Sequence, residues 1–240
     1  MYYMIKMNNK EIVKGCGRDK YHEILKEKGL LVKRKRKIRR EYTTAESQKD
    51  IKNLKKAVKL ERRNQLIESD ITNLYTRSRR LSLSLCIDVY SKKIVGSYLG
   101  TVMRSEEAMK ALEMAVEGRE EEFIGSIHHS DQGVQYGSNE YKAKVRSIGM
   151  EVSMSKRGTP TEAAHIERAN NTLKNEFNLK KCFVDYEQAE KEVARAIFIY
   201  NNIRPHMSLG YQTPAKVYDS SKPEKILTPF GLRPQGVNIK

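Results

Sequence analysis

The sequence predicts an α/β fold in which a mixed five-stranded sheet is flanked by helices and preceded by a basic helical region. Two observations carry this prediction. Apolar and polar residues alternate with a period of two early in residues 65–154, after which strand-like and helix-like segments follow each other in turn. With 240 residues, 38% of them hydrophobic, the chain is long enough for one ordinary domain and a smaller appendage.

Three successive strands are predicted between residues 65 and 100. The first is QLIESDITNL, and in the second the residues from Leu81 to Val89 alternate between apolar and polar, the pattern of a half-buried strand. The turn SKK then leads into the third strand, IVGSYLG. Strands with such short connections form an antiparallel meander.

Helices and strands alternate in the rest of the chain. A helix begins at Ser105, which can cap it, and is followed by a short strand in FIGSIHHSD. A helix near SNEYKAKVRSIG and a strand at MEVSMS come next, and two helices beginning at Thr159 and near Asp185 close the domain. Three antiparallel strands followed by two that are reached through helices match the ribonuclease-H-like arrangement, an analogy of fold only.

The positive charge is concentrated near the N-terminus. The chain carries 46 Lys and Arg against 30 Asp and Glu, a net charge of +16, and residues 1–66 contribute +13 of it. We therefore expect a basic, helical DNA-binding region at 1–62 (a partial helix-turn-helix), followed by the body of the protein, which would carry its chemistry, at 63–218. The prolines at 223, 229 and 234 predict an irregular tail at 219–240. Phosphate contacts would come from the most basic stretch, and the alternative is a solvated tail. That stretch begins with Lys33, Arg34, Lys35 and Arg36.

The cysteines and the hydropathy favour a cytoplasmic protein. Cys16, Cys86 and Cys182 are odd in number, far apart and without a Cys-x-x-Cys pair, which argues against a disulfide scaffold or a zinc ribbon. No apolar run approaches the roughly 18 residues of a membrane span, and the first residues lack the pattern of a signal peptide. We expect no association with a membrane.

The motif IHHSDQG at 127–133 places two imidazoles, a hydroxyl and a carboxylate side by side. A serine hydrolase triad is disfavoured because neighbouring strand residues point to opposite faces, and no Gly-x-Ser-x-Gly elbow is present. Zinc binding by His128 and His129 is disfavoured because consecutive residues cannot easily share a tetrahedral centre. A structural role at the end of a strand is predicted for both histidines.

Asp131 is the exception, because a carboxylate between a strand and a Gly-containing loop is well placed to hold a hard cation. Asp70 lies inside the first strand, although Glu68 is a competing acid and an Asp facing water is the alternative reading. The helix beginning at Thr159 offers Glu162 and Glu167. Since Glu162 completes a capping box with Thr159, Glu167 is the better candidate for a third ligand.

The helix that carries Glu167 has a polar face. Asn170, Asn171 and Lys174 follow Glu167 at i+3, i+4 and i+7 and therefore lie on the same side. His165 points away from that face. For Lys174, an ordinary exposed lysine is an equally good interpretation on geometry alone.

Five stretches in order resemble the integrase-type core of bacterial insertion-sequence transposases of the IS-three group, which is related to retroviral integrases. They are SDIT, IDVYSKKIVG, IHHSDQGVQYGS, VSMSKRGTPTEAAHIERANNTLKNEF and YNNIRPHMSLGYQTPAKVY. Sixty residues separate Asp70 from Asp131 and 35 separate Asp131 from Glu167, the spacing for which the Asp-Asp-35-Glu group is named. The N-terminal GRDKYHEILKEKGLLVKRKRKIRR is more loosely similar to the partial helix-turn-helix of one branch.

The resemblance implies metal-dependent strand cleavage and strand transfer on DNA. Asp70, Asp131 and Glu167 would hold two Mg²⁺ ions about 3.5 to 4 Å apart, with Mn²⁺ as a substitute. Lys174 and Asn171 would contact DNA. The resemblance further implies element ends and target DNA as partners, a homo-oligomer, an upstream-frame helix-turn-helix protein, and a bacterial, nucleoid-associated location.

Two departures from the family pattern and two other functions accompany this interpretation. Ile67 stands where the family usually has Trp, and Ala163 where it usually has Asn, so the packing or the hydrogen bonding that orients the site is expected to be weaker. The alternative functions are a non-catalytic DNA-binding derivative that occupies element ends and a structure-specific nuclease of the same fold.

Overall fold

A computed structural model describes residues 2–8, 11, 15–31, 51–156 and 159–221. A sheet is covered by helices on both of its faces. The strands are β1 (Leu66–Thr76), β2 (Arg80–Asp88), β3 (Ile94–Gly100), β4 (Ile127–Ser130), β5 (Glu151–Met154) and β6 (Cys182–Phe183). The helices are α1 (Tyr2–Asn8), α2 (Arg18–Glu27), α3 (Ser105–Val116), α4 (Val134–Gly137), α5 (Asn139–Ser147), α6 (Ala164–Asn175), α7 (Tyr186–Asn202) and α8 (Pro214–Ser220).

Strand β1 lies at the centre of the sheet, whose order is β3-β2-β1-β4-β5. The pairs β1–β2 and β2–β3 are antiparallel, which confirms the predicted meander. The pairs β1–β4 and β4–β5 are parallel. A sixth strand, β6, pairs with the end of β1 and was not predicted, because two residues are too few to show a period.

Helices on both faces of the sheet divide the core into two layers. On one face, Ile166 and Leu173 of α6 and Val193 of α7 form a cluster with strand residues that include Leu83 and Leu85 of β2. On the other, α3 and α5 pack on a second cluster that includes Ile67 and Cys86. The prediction that β2 is half-buried was wrong, since Ser82 and Ser84 are buried as well as Leu81, Leu83 and Leu85.

Two helix starts differ from the predictions. Ser105 is the first residue of α3 rather than its cap, which is Arg104. The segment from Thr159 forms a 3₁₀ turn at Pro160–Ala163 before α6 begins at Ala164. In place of a capping box, Thr159 Oγ1 donates to Glu162 Oε2 over 2.9 Å, and Thr159 makes no side-chain hydrogen bond that caps the turn.

The structure describes only part of the predicted basic region and little of the predicted tail. Helix α2 ends before Gly29, whose φ of 67° lies in the left-handed region that favours glycine. Helix α8 runs to Ser220, and 222–240 lie outside the described residues. None of the helices in the described ranges is long and apolar enough to cross a membrane.

Candidate active site

The parallel register of β1 and β4 brings Asp70 and Asp131 together. Ser69 is paired with Ser130, and Asp70 and Asp131 are the residues that directly follow these two serines in the chain. Asp70 lies within β1, opposite Leu85 of β2, so it is not at an edge of the sheet. Asp131 follows the last residue of β4. Sixty residues of intervening sequence are thus folded so that two carboxylates become neighbours.

The pKa of the Asp70 carboxyl group is set by opposing influences, of which those that raise it are the larger. Burial and the nearby charge of Asp131 raise the pKa of Asp70 from 3.8 to about 7. Hydrogen bonds from the backbone of Ile71 and from Asn170, together with the positive charge of Lys174, act in the opposite direction. The two carboxylates therefore repel each other, and a bound cation would relieve this repulsion.

Asp131 is held by the loop that follows β4. Burial raises the pKa of Asp131, and a 2.9 Å hydrogen bond from the backbone N–H of Gly133 to its Oδ1 acts in the opposite direction with a smaller effect. A Cβ atom at Gly133 would lie 2.9 Å from that same Oδ1. The close approach of the backbone to the carboxylate thus favours glycine in this loop.

Helix α6 supplies a third part of the site. Asn170 Nδ2 donates to Asp70 Oδ2 over 2.7 Å, while its buried Oδ1 has no hydrogen-bond partner among the described residues. Lys174 lies one turn further along and Glu167 one turn earlier, and both are partly buried. Asn171 is exposed. Sequence reasoning had placed Asn170 on this face without giving it a role, and its partner could not be read from helical spacing.

The third carboxylate remains a prediction. Across the described ranges, no group of three His, Cys, Asp or Glu side chains is arranged to hold a metal ion. Asp70 and Asp131 are brought together as neighbours, and Glu167 lies on the helix that contributes Asn170.

The two competing acids have structural partners. Glu162 is paired with Lys56 over 2.9 Å, and this contact is the main reason that its pKa is lowered to about 2. Glu68 is fully buried and paired with Lys55 over 2.5 Å. Because its side chain points into the protein, Glu68 is not an exposed alternative to Asp70.

The two histidines of IHHSDQG are buried and hydrogen-bonded, in agreement with their predicted structural role. His128 Nε2 lies 2.9 Å from Ser69 Oγ and 3.0 Å from the hydroxyl of Tyr141. His129 lies between Ser153 and Ser155 on the neighbouring strand and its continuation. Burial lowers the pKa of His128 to about 3, so its imidazole is neutral at pH 7.

The remaining predicted residues divide into those that the structure places and those that it does not. Ile67 is fully buried in the layer beneath α3 and α5, so the position is packed without a Trp. Ala163 precedes α6 and provides no side-chain cap. The predicted phosphate contacts Lys33, Arg34, Lys35 and Arg36 lie outside the described residues.

Two family descriptions, both named integrase core domain, match residues 61–160 and 148–214. The chain is 34% identical over 152 residues to the transposase for insertion sequence element IS904 of Lactococcus lactis, covering 63% of this chain and 60% of that protein. It is 33% identical over 201 residues to the insertion element IS600 uncharacterized 31 kDa protein of Shigella sonnei, covering 83% and 74% respectively. The match thus spans less than two thirds of the IS904 protein.

Retroviral proteins share the fold. The HTLV-2 integrase catalytic core domain in complex with magnesium gives a TM-score of 0.51 at 18% identity, covering 65% of this chain and 96% of that one. The simian T-cell lymphotropic virus intasome, in complex with a PP2A regulatory subunit, gives 0.55 at 18% identity, covering 74% and 60%. At this identity the likeness concerns the fold, and it confirms the predicted ribonuclease-H-like arrangement.

Proposed function

We propose that this chain, which belongs to the insertion-sequence transposases of the IS-three family with an integrase-type core, cleaves and joins DNA strands in a metal-dependent reaction. The observation that carries the proposal is the placement of Asp70 beside Asp131 at neighbouring points of two parallel strands. Paired carboxylates in a partly buried site suit a hard divalent cation, which takes oxygen ligands.

The donor set fits Mg²⁺ or Mn²⁺. Asp70 and Asp131 provide carboxylates whose mutual repulsion a cation would remove, and the Oδ1 of Asn170, which lacks a partner among the described residues, adds a buried oxygen nearby. Glu167, on the same helix as Asn170, would complete the ligand set. When bound, the ions would activate the attacking water or 3′-hydroxyl and stabilise the leaving oxygen.

The side chains around the ligands would orient the reactants. Asn170 fixes the rotamer of Asp70 through its 2.7 Å hydrogen bond, and the N–H of Gly133 does the same for Asp131. Lys174, near enough to Asp70 to lower its pKa, would bind a phosphate of the donor DNA. Catalysis of phosphoryl transfer depends mainly on such positioning of the reactants and on neutralisation of their charge.

The partners would be the ends of the element and the target DNA. Joining two ends favours an assembly of several copies of the chain, and an upstream-frame helix-turn-helix protein would contribute recognition of the ends. Asn171 is exposed on the helix that carries Lys174 and would contact the same DNA. The basic stretch from Lys33 to Arg36 would bind phosphates elsewhere on it.

The proposal is tested with a supercoiled plasmid that carries the ends of the element. We expect nicked and joined products in Mg²⁺ or Mn²⁺ and none in EDTA. Glu167→Gln should abolish both products, whereas Glu187→Gln, a change at an exposed residue of α7, should leave them unchanged. Equal activity of Glu167→Gln and the unmodified chain would remove Glu167 from the site.

The products separate the proposal from its alternatives. A nuclease of the same fold would nick the plasmid without joining strands. A non-catalytic derivative would bind the ends with a steep dependence on salt and would release no cleaved DNA in any metal. Either result would contradict the proposed transposase activity.

A further inference from the structure

A buried carboxylate caps the helix that carries Glu167. Glu68 Oε2 accepts hydrogen bonds from the backbone N–H groups of His165 and Ile166, over 3.0 and 2.9 Å. These donors belong to the first turn of α6, and Ala163 before them has no side chain that could satisfy them. The negative charge also suits the positive end of the helix dipole.

Lys55 joins this cap from another part of the chain. Its Nζ donates to Glu68 Oε1 over 2.5 Å and to the backbone carbonyl of Glu162 over 2.6 Å. The ammonium group thus contacts both the capping carboxylate and the 3₁₀ turn that leads into α6. The side chain of Lys55 is only 20% exposed and that of Glu68 is fully buried, so solvent screens the pair weakly.

The segment that carries Lys55 is itself fixed to the edge of the sheet. The backbone N–H of Leu54 donates to Ser153 Oγ over 2.9 Å, and the N–H of Met154 donates to the carbonyl of Lys52 over 3.4 Å. Ser153 also contacts His129 of β4, the strand that ends just before Asp131. One continuous set of contacts therefore runs from residues 52–55 to both β4 and α6.

We infer that Lys55 and Glu68 are positioning residues, which fix the start of α6 and thereby place Glu167 relative to Asp70 and Asp131. The geometry is direct: Glu167 follows Ile166, whose N–H is bound by Glu68, and Glu68 lies two residues before Asp70 on β1. One buried side chain thus connects the strand that carries one predicted ligand to the helix that carries another. The inference rests on the proposed function.

The test uses the full chain with four substitutions. Lys55→Met removes the ammonium group, Glu68→Gln removes the charge of the cap, and Lys191→Met is the matched control, because Lys191 is exposed on α7 and lies outside the predicted DNA-binding region 1–62. Plasmid nicking is measured against the concentrations of DNA and of Mg²⁺. Lys55→Arg, which keeps the charge and the donors, is the conservative variant.

We expect Lys55→Met and Glu68→Gln to lower kcat by about tenfold or more and to raise the Mg²⁺ concentration at half-maximal activity, as loss of a group that orients a metal ligand does. KM for the plasmid should change by less than about twofold, because the side chain of Glu68 is fully buried and that of Lys55 is only 20% exposed and paired with it. Lys191→Met should match the unmodified chain, and Lys55→Arg should recover part of the lost activity. An increase in KM alone would assign Lys55 to DNA contact and overturn the inference.

A second measurement keeps this test separate from that of the proposed function. Hydrogen exchange reports the protection of the His165 and Ile166 amides in the folded protein without any need for activity. We expect faster exchange at these two amides in Lys55→Met and unchanged exchange in Lys191→Met. Unchanged exchange in Lys55→Met would overturn the inference even in an active enzyme, whereas an inactive chain with the expected exchange would contradict only the proposed function.

Discussion

Asn170 of α6 donates a 2.7 Å hydrogen bond to Asp70 at the centre of the sheet. The bond connects two elements that are a hundred residues apart in the sequence. It also orients the carboxylate whose pKa burial and Asp131 raise to about 7. Asn170, on the polar face of α6, is therefore part of the site through its Nδ2 atom.

Asn170 and its neighbour Asn171 are expected to differ in their effect on catalysis. Asn170→Ala should lower kcat by roughly 10- to 100-fold, because Asp70 loses the group that orients it. Asn171→Ala should change mainly KM for DNA, since its side chain is exposed and the amide that binds Asp70 is that of Asn170. Steady-state plasmid cleavage distinguishes the two effects, and a pure KM effect of Asn170→Ala would contradict the orienting role.

Much of the site could be predicted from spacing, and the reasons for the remainder are physical. Asp70 and Asp131 were identified because a carboxylate in or just after a strand is unusual, and the parallel register makes them neighbours. The burial of Glu68 and its pairing with Lys55 could not be predicted, because the partner comes from a 3₁₀ turn with no apolar period. The prediction of a capping box was wrong, because the Thr159 hydroxyl donates to the Glu162 carboxylate instead of accepting a hydrogen bond from the backbone.

Removing the Asp70 carboxylate should change how stability depends on pH in the metal-free protein. The raised pKa means that the folded chain holds a proton which the unfolded chain releases between about pH 4 and pH 7. The contribution of Asp70 to the free energy of unfolding should therefore fall as pH rises through this window, by up to about 1.4 kcal/mol per pH unit. Asp70→Asn should lack that contribution.

Urea unfolding in EDTA between pH 4 and pH 8 measures this difference. Asp19→Asn, a change at an exposed residue of α2, is the matched control and should run parallel to the unmodified chain. Mg²⁺ should raise the stability of the unmodified chain most at pH 8, where Asp70 is ionised, and should not do so for Asp70→Asn. A constant difference between Asp70→Asn and the unmodified chain across this pH range would show that Asp70 does not titrate there.

His128 is expected to make the protein sensitive to acid. Its pKa of about 3 lies below the ordinary 6.5, so the unfolded chain binds a proton that the folded chain excludes between these values. The contribution of His128 to stability should therefore decrease by about 1.4 kcal/mol per pH unit as pH falls below about 6.5, opposite in sign to that of Asp70. His128→Gln should reduce this slope, whereas His22→Gln, at an exposed position, should leave it unchanged. Denaturant unfolding between pH 4 and pH 7 measures the slopes, and equal slopes would contradict the prediction.

Gly96 of β3 should not tolerate a larger residue, because α3 packs closely against the sheet at this position. A Cβ atom there would overlap the backbone carbonyl of Ala111 and lie 2.9 Å from the Cβ of Ala115. Because a helix backbone cannot move aside as a side-chain end can, Gly96→Ala should lower the free energy of unfolding by about 1–3 kcal/mol or more. Gly17→Ala is the control, since no described heavy atom lies within 4 Å of a Cβ at Gly17. Urea unfolding at pH 7 compares the two, and equal stability would mean that α3 can shift away from β3 at little cost.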